Sequence, residues 1–548
     1  MRAQRLLPKF AMALSVAAMT ASILAAPPSG DKPTAEKEKP KTTDKAKPKT
    51  PAKPRVLVTI SKQTTYITEP LRPDGYPDYV AAINERAGRG VKPEDNAAVL
   101  VWKAIGPGWI SEERRPEYFR MLGISQLPEK GDYYVDFSGY PGHVKETSDI
   151  PTEASARSDI WYEAERHPWS EAEFPLLAKW LAANEKPLAL VTEASKRPQC
   201  YSPLVSTDGN VGVRLILDGR NQLLPLEAAC RHIAKVFTVR AMFRLNEGQF
   251  DEAWQDIMSC HRLARLVGRG PLGLATSMAL DIDRRSQIAE RVMLGDGRLA
   301  PEQIAKMRDD LARLSPLPKL ADAVDVGDRL VFLDFATTIA RQGLLETLRQ
   351  IGAREGTALD VAADLAARAT VNWDEVLREG NTWYDRSAEV LRKSTRAERV
   401  RAGERLFEDI RALRNARHQT GRTPSEIMAG TVSILGMPQF LFNGQDGFAA
   451  DSALTGGAFA LAAYHAEHGS YPQTLGDLVP KYAAQTPKDV FNNDAELRYA
   501  REGDGYVLYS MGRNGKEDAA KGPVDYNIAA GWIQRDYDEF AIRVPGKK

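Results

Sequence analysis

Two histidines three residues apart, His465 and His468 in "YHAEHG", and a group of acids near the start of the chain are the residues best spaced for chemistry. Histidines at i and i+3 share one helix face and could offer two nitrogens to zinc. The order is HxEH rather than HExxH, and no third ligand or general-base glutamate stands nearby. The same positions suit the polar end of a helix, and that reading is preferred. Glu69, Asp74, Asp78, Glu94 and Asp95 crowd an early stretch beside tyrosines and prolines. A carboxylate pair for glycoside hydrolysis is set by separation in space, which a sequence leaves open. Acids in turns and at helix starts also serve as caps. Cys200, Cys230 and Cys260 contain no CxxC pair, so neither a thioredoxin-type site nor a cysteine-rich zinc site has support. They read as buried apolar thiols, with one bridge plus a free thiol as the alternative. No GxSxG elbow, P-loop or dinucleotide fingerprint occurs. "GRGPLGLA" (Gly268 to Ala275) lacks the Lys-Ser/Thr of a phosphate loop and reads as a helix break.

The elements that must position these residues begin after an export signal. Arg2, Arg5 and Lys9 precede "FAMALSVAAMTASILAA", an apolar run too short for an ordinary membrane span. Residues 1–26 therefore read as a signal peptide cleaved near Ala25 or Ala26. Ile23 or Leu24 occupies the position where a small residue is preferred, so an uncleaved anchor is the alternative. No later segment is apolar for long enough to cross a bilayer. The expected location is periplasmic, envelope-bound or extracellular. Residues 27–55, rich in Lys, Pro and Thr, cannot offset ordering entropy by burial and read as a disordered linker.

The chain of 548 residues has room for two or more domains, and its 43% hydrophobic and 27% charged content is that of a soluble globular protein. A net charge of +1, from 74 basic and 73 acidic residues, gives no electrostatic reason to expect a nucleic-acid partner. The basic residues from Arg392 to Arg417 alternate with Glu398, Glu404, Glu408 and Asp409, which is the pattern of a solvated helix face.

Residues 56–440 read as a mainly helical domain. "RVLVTI" reads as a strand before it. Pro93 falls in the first turn of an early helix, with Ala97, Val101, Ala104 and Ile105 on one face. Ser170 and Glu173 form a capping box, with Trp169 placed to staple against Phe174. Trp161, Trp169 and Trp180 together could form a carbohydrate platform, but their helical spacing favours core packing. The piece "VRAMFRLNEGQFDEAWQDIMSCHRLARLVGRG" resembles one tetratricopeptide hairpin. Ala241 and Leu245 close its first helix, Gly248 makes the turn, and Phe250 and Ala253 open the second. No repeat at a fixed period accompanies it, so a solenoid has no support. A later helix starts at Pro301, with Ile304, Met307, Leu311 and Leu314 on one stripe.

Residues 450–548 read as a small α+β domain with an antiparallel sheet. A helix from about Asp451 ends at His468 and Gly469, and "YPQTLGDLVPKY" makes a short second helix. "ELRYAR" and "GYVLYSMG" form a hairpin about Glu502–Gly505, and "VDYNIA" adds a third strand.

This segment resembles the globular part of type II secretion major pseudopilins, relatives of type IV pilins. The shared signals are a helix ending in "Y-x-x-x-x-G-x-YP", "T-L-x-x-L", the "PKD-x-F" turn, and strands leading to "YS-x-G-x-x-G". The family's leader and long apolar N-terminal helix are missing from this position, and Val490 stands where proline is common. The resemblance implies the head of a pilin used as a soluble domain. It also implies a Ca2+ loop, with ligands at Asn514 and Asp525, carbonyls near Ser510 and Met511, and Asp518 as an extra carboxylate. Calcium takes six to eight hard oxygens, which a glycine-containing acidic loop can supply. Asn514 replaces the usual aspartate, and a plain turn whose Asn and Asp bond their own backbone is the alternative. The expected function is a non-enzymatic exported binding or scaffold protein with protein partners and a link to type II secretion. The competing expectation is an envelope hydrolase acting on a glycan or peptide.

Overall fold

The computed structural model describes residues 56–140, 160–207, 209–213, 223–350, 370–416, 425, 441–513 and 541–544. The signal peptide, the linker, the "VDYNIA" strand, and Asn514, Asp518 and Asp525 lie outside them. The protein is mainly helical with a small antiparallel sheet at its C-terminal end.

The helices in order are α1 (Tyr79–Gly88), α2 (Ala97–Ile105), α3 (Arg115–Met121), α4 (Pro175–Ala183), α5 (Glu185–Ser195), α6 (Pro225–Asn246), α7 (Phe250–Val267), α8 (Gly273–Gly295) and α9 (Pro301–Ala312). They continue with α10 (Leu320–Ala323), α11 (Arg329–Gln342), α12 (Leu344–Gln350), α13 (Trp373–Arg392), α14 (Arg396–Ala416) and α15 (Leu441–His468). Helices α6 and α7 pack as a helical hairpin, and Gly248 at φ +74° supplies the left-handed turn between them. Helix α9 begins at Pro301 and buries Ile304 and Met307, as its stripe requires. Helix α8 is central: it packs against α6, α7, α10 and α15.

Three local expectations shift. Val56–Ile60 forms no strand, because its backbone donors go to side chains: Leu57 N–H to Tyr76 Oη (3.0 Å) and Thr59 N–H to Asp374 Oδ1 (2.7 Å). Helix α2 starts at Ala97 rather than Pro93, capped by Asn96, whose side chain also bonds both backbone groups of Tyr201. Ser170 accepts from Glu173 N–H in a turn, and α4 begins only at Pro175. The Trp169–Phe174 contact survives this shift, at 5.6 Å between ring centres.

Helix α15 begins at Leu441 rather than Asp451. Its first turns are held by Asp446, which pairs with Arg399 (2.6 Å) and Arg396 (3.4 Å) of α14. It ends as expected at Gly469, where φ +70° and the bond from Gly469 N–H to His465 O (2.8 Å) stop the helix. A 3-10 turn, Leu475–Leu478, follows with a Thr474/Asp477 capping box. Strands β1 (Lys488–Asp489) and β2 (Ala495–Glu496) pair, and β3 (Arg498–Glu502), β4 (Gly505–Tyr509) and β5 (Ala541–Val544) form a second antiparallel sheet. Its register runs from Arg498 opposite Tyr509 to Glu502 opposite Gly505, and from Tyr506 opposite Val544 to Tyr509 opposite Ala541.

One hydrophobic core runs from Val58 to Val544 and includes both the helical body and this sheet. Leu454, Ala458, Phe459 and Leu461 of α15 belong to it. Each large apolar side chain so buried contributes about 1.5–3 kcal/mol. Gly457 lets β4 approach closely: a Cβ there would lie 2.8 Å from Leu508 and 3.2 Å from Pro487.

Candidate functional site

The loop that leaves β4 is anchored at its start by a buried carboxylate. Asp489, in the "PKD-x-F" turn, is fully buried. Its carboxylate accepts from Ser510 Oγ (2.6 Å), Met511 N–H (2.8 Å) and Phe491 N–H (2.9 Å). The two motifs that carry the resemblance are thereby tied to one another. Ser510 turns its hydroxyl toward Asp489 and accepts from Gly512 N–H (3.2 Å). These three bonds fix the start of the loop. Among the described residues no group of three or more His, Cys, Asp or Glu side chains is arranged to hold a metal ion.

The two histidines do not act as a pair. His468 stacks on Tyr464 (ring centres 4.1 Å apart) and bonds through Nδ1 to its carbonyl (3.0 Å), whereas His465 stacks on Tyr471 at 4.5 Å. The early acids also divide. Asp78 caps α1 through Ala81 N–H (2.9 Å), and Asp74 accepts from Tyr76 N–H and pairs with Arg341 at 3.4 Å. Both are engaged in structural contacts. The cysteines are free thiols; burial pushes Cys200 up to about 12 and also raises Cys230 and Cys260. Thiols in that state are not nucleophiles at neutral pH.

Three constellations join residues far apart in sequence. The first is a buried bolt between α7 and α8. His261 lies between Asp283 Oδ1 (2.7 Å) and Glu290 Oε1 (2.9 Å), and Arg265 adds a second cation to Asp283 (2.7 Å). Burial opposes the charge on His261, but the two carboxylates outweigh it and raise its pKa to about 10. The i, i+4, i+7 spacing of Asp283, Gln287 and Glu290 on α8 is the sequence signal that could have disclosed this polar stripe.

In the second, Glu227 is buried beside Ser202, whose hydroxyl meets Tyr118 Oη at 2.8 Å and Glu227 at 3.5 Å. Burial raises the Glu227 pKa to about 7. This carboxyl is enclosed within the core.

The third constellation opens to solvent along α6. His232 Nε2 lies 2.9 Å from Asp136 Oδ2 and 2.8 Å from Tyr134 Oη, and the His232 and Asp136 side chains are 27% and 41% exposed. The His232 hydrogen bond, with help from Ser138, holds Asp136 well below the usual carboxylate range. Trp109 lies against the His232 ring at 5.6 Å. Lys235, one helical turn further on, sits over the Trp161 ring with Nζ 5.0 Å from its centre. Burial lowers the Lys235 pKa, opposed by Glu165. Arg231 and Arg285 nearby are engaged by Asp281, and Arg285 also by Glu165.

No protein-family model, curated protein or solved structure matches the chain.

Proposed function

We propose that the protein is an exported, non-enzymatic binding or scaffold protein whose C-terminal module is pseudopilin-like and works in connection with type II secretion. The observation that carries this reading is how α15 divides its surface. One side receives β4 through Gly457, as the head of a pilin-like module requires. The other packs on α8, where Gln287 Nε2 donates to Ser452 (3.1 Å) and Arg291 donates to Thr455 (3.0 Å). A head whose helix is covered on that side has no bare helical face with which to enter a filament. It remains available as a contact point fixed to a helical body. The tetratricopeptide-like pairing of α6 and α7 supports reading that body as a scaffold. The loop beyond Met511 would take Ca2+ through Asn514 and Asp525, as the resemblance implies.

Affinity capture of the exported full chain from envelope extracts tests this reading. Enrichment of pseudopilins or of the secretin supports it. Turnover of a wall polymer by the purified protein, with neither partner captured, overturns it.

A further inference from the structure

The C-terminal sheet runs in the order β3, β4, β5, so β3 is an edge strand, and each of its residues except half-buried Tyr499 is exposed. β1 covers the outer side of this chain segment only as far as Leu497, whose N–H donates to Pro487 O (3.0 Å). Backbone groups two residues apart on a strand turn to the same side. The N–H and C=O of Tyr499 and Arg501 therefore face outward, and no described residue bonds to them. Unpaired edge groups of this kind are a template for another strand. The strand reads "RYARE". Laid antiparallel on itself about Ala500, it sets Arg498 opposite Glu502 and Tyr499 opposite Arg501.

We propose that β3 pairs with β3 of a second copy of the chain about a two-fold axis at Ala500, joining the two small sheets edge to edge. In that register the outward backbone groups of Tyr499 meet those of Arg501 in the other copy, as an antiparallel ladder requires, and the contact is the same patch on both copies. Arg498 stands across from Glu502 on one face of the sheet, and Arg501 across from the Tyr499 ring on the other. Opposite charges directly across a strand pair stabilise it, and like charges weaken it. The register that sets Arg501 opposite itself brings like charges together, and the one that sets Tyr499 opposite itself leaves Arg498 against Ala500. Charge on an edge ordinarily discourages pairing. Here it selects one register. Glu502 also meets Arg543 of β5 at 3.5 Å, but 42% of its side chain is exposed, which leaves it open to a second cation. A foreign strand would have to supply this order of charges, whereas a second copy carries it already. The proposal holds whether or not the module meets a secretion partner.

Analytical ultracentrifugation of the full chain over a concentration series tests it. A reversible monomer–dimer equilibrium is expected by millimolar concentration. Arg498→Glu should weaken the dimer by about tenfold, because two attractive pairs become repulsive. Adding Glu502→Arg to that variant should restore the dimer, since the exchanged charges meet again. Melting temperatures should stay close to that of the parent chain, because both side chains are exposed. Ala500→Cys should give a covalent dimer with oxidised glutathione where the parent chain gives none, since directly opposed residues of a non-hydrogen-bonded pair lie about 4.5 Å apart. The proposal is overturned if the chain stays monomeric at millimolar concentration, whether or not the edge accepts a foreign strand. It is equally overturned if a dimer forms that Arg498→Glu leaves unchanged, or if the exchanged pair fails to restore it.

Discussion

Asp451 of α15 is clamped by Arg291 of α8, with 3.0 Å between carboxylate and guanidinium and only 2% and 12% of the two side chains exposed. Arg284, two turns earlier on α8, reaches the other carboxylate oxygen at 2.5 Å. One buried anion therefore joins the helical body to the first turns of the C-terminal module.

Removing that anion would leave two arginines with little access to water. Asp451→Ala is expected to destabilise the protein by roughly 3–5 kcal/mol, because breaking a buried pair strands its partner charge. Urea titration measures it. A change below about 1 kcal/mol, the range of an exposed pair, would contradict the clamp.

The His261 bolt gives a pH dependence whose sign is fixed. Its folded pKa, about 10, lies above the ordinary value of 6.5. The stabilisation is therefore complete below pH 6.5 and is lost as pH rises toward 10. Stability of the parent chain should fall across that window, and His261→Gln should flatten the slope. Denaturation midpoints at pH 6, 8 and 10 check this, and parallel slopes for the two proteins would refute it.

Asp489→Ala deprives Ser510, Met511 and Phe491 of their shared acceptor. A cost of roughly 2–5 kcal/mol is expected from these stranded donors. Hydrogen exchange should speed up at Phe491 and Met511 before it does in α8. Unchanged protection at both positions would show that the carboxylate does not hold the loop.

Calcium binding beyond Met511 predicts a higher melting temperature with calcium than with chelator, since a ligand bound only by the folded state adds stability. Asp525→Ala should abolish the difference. Equal melting temperatures, together with no metal in the purified protein, would dispose of the calcium site.

Much of the helical order was legible because it rests on local rules. Pro301 with its apolar stripe, the Gly248 turn and the Gly469 stop need only neighbouring residues. The strand expected at Val56–Ile60 failed because its partners, Tyr76 and Asp374, are side chains supplied by the tertiary fold. The start of α15 was misplaced because what extends it is Asp446 meeting Arg396 and Arg399, a contact between separate helices. The same reason hid the α6 face. Trp109, Asp136, Trp161 and His232 lie on four separate stretches of chain, and no spacing rule connects them. Asp489 was visible as part of a motif, but its role appears only when Ser510 and Met511 fold back on it.

Helix α15 packs on α8 and on β4 at once, so the C-terminal segment depends on the helical body for its fold. The NMR spectrum of residues 441–548 prepared alone tests it most directly. A poorly dispersed spectrum is expected, one that sharpens and disperses only when the helical body is restored. A well-dispersed spectrum with a cooperative unfolding transition in the isolated segment would contradict it.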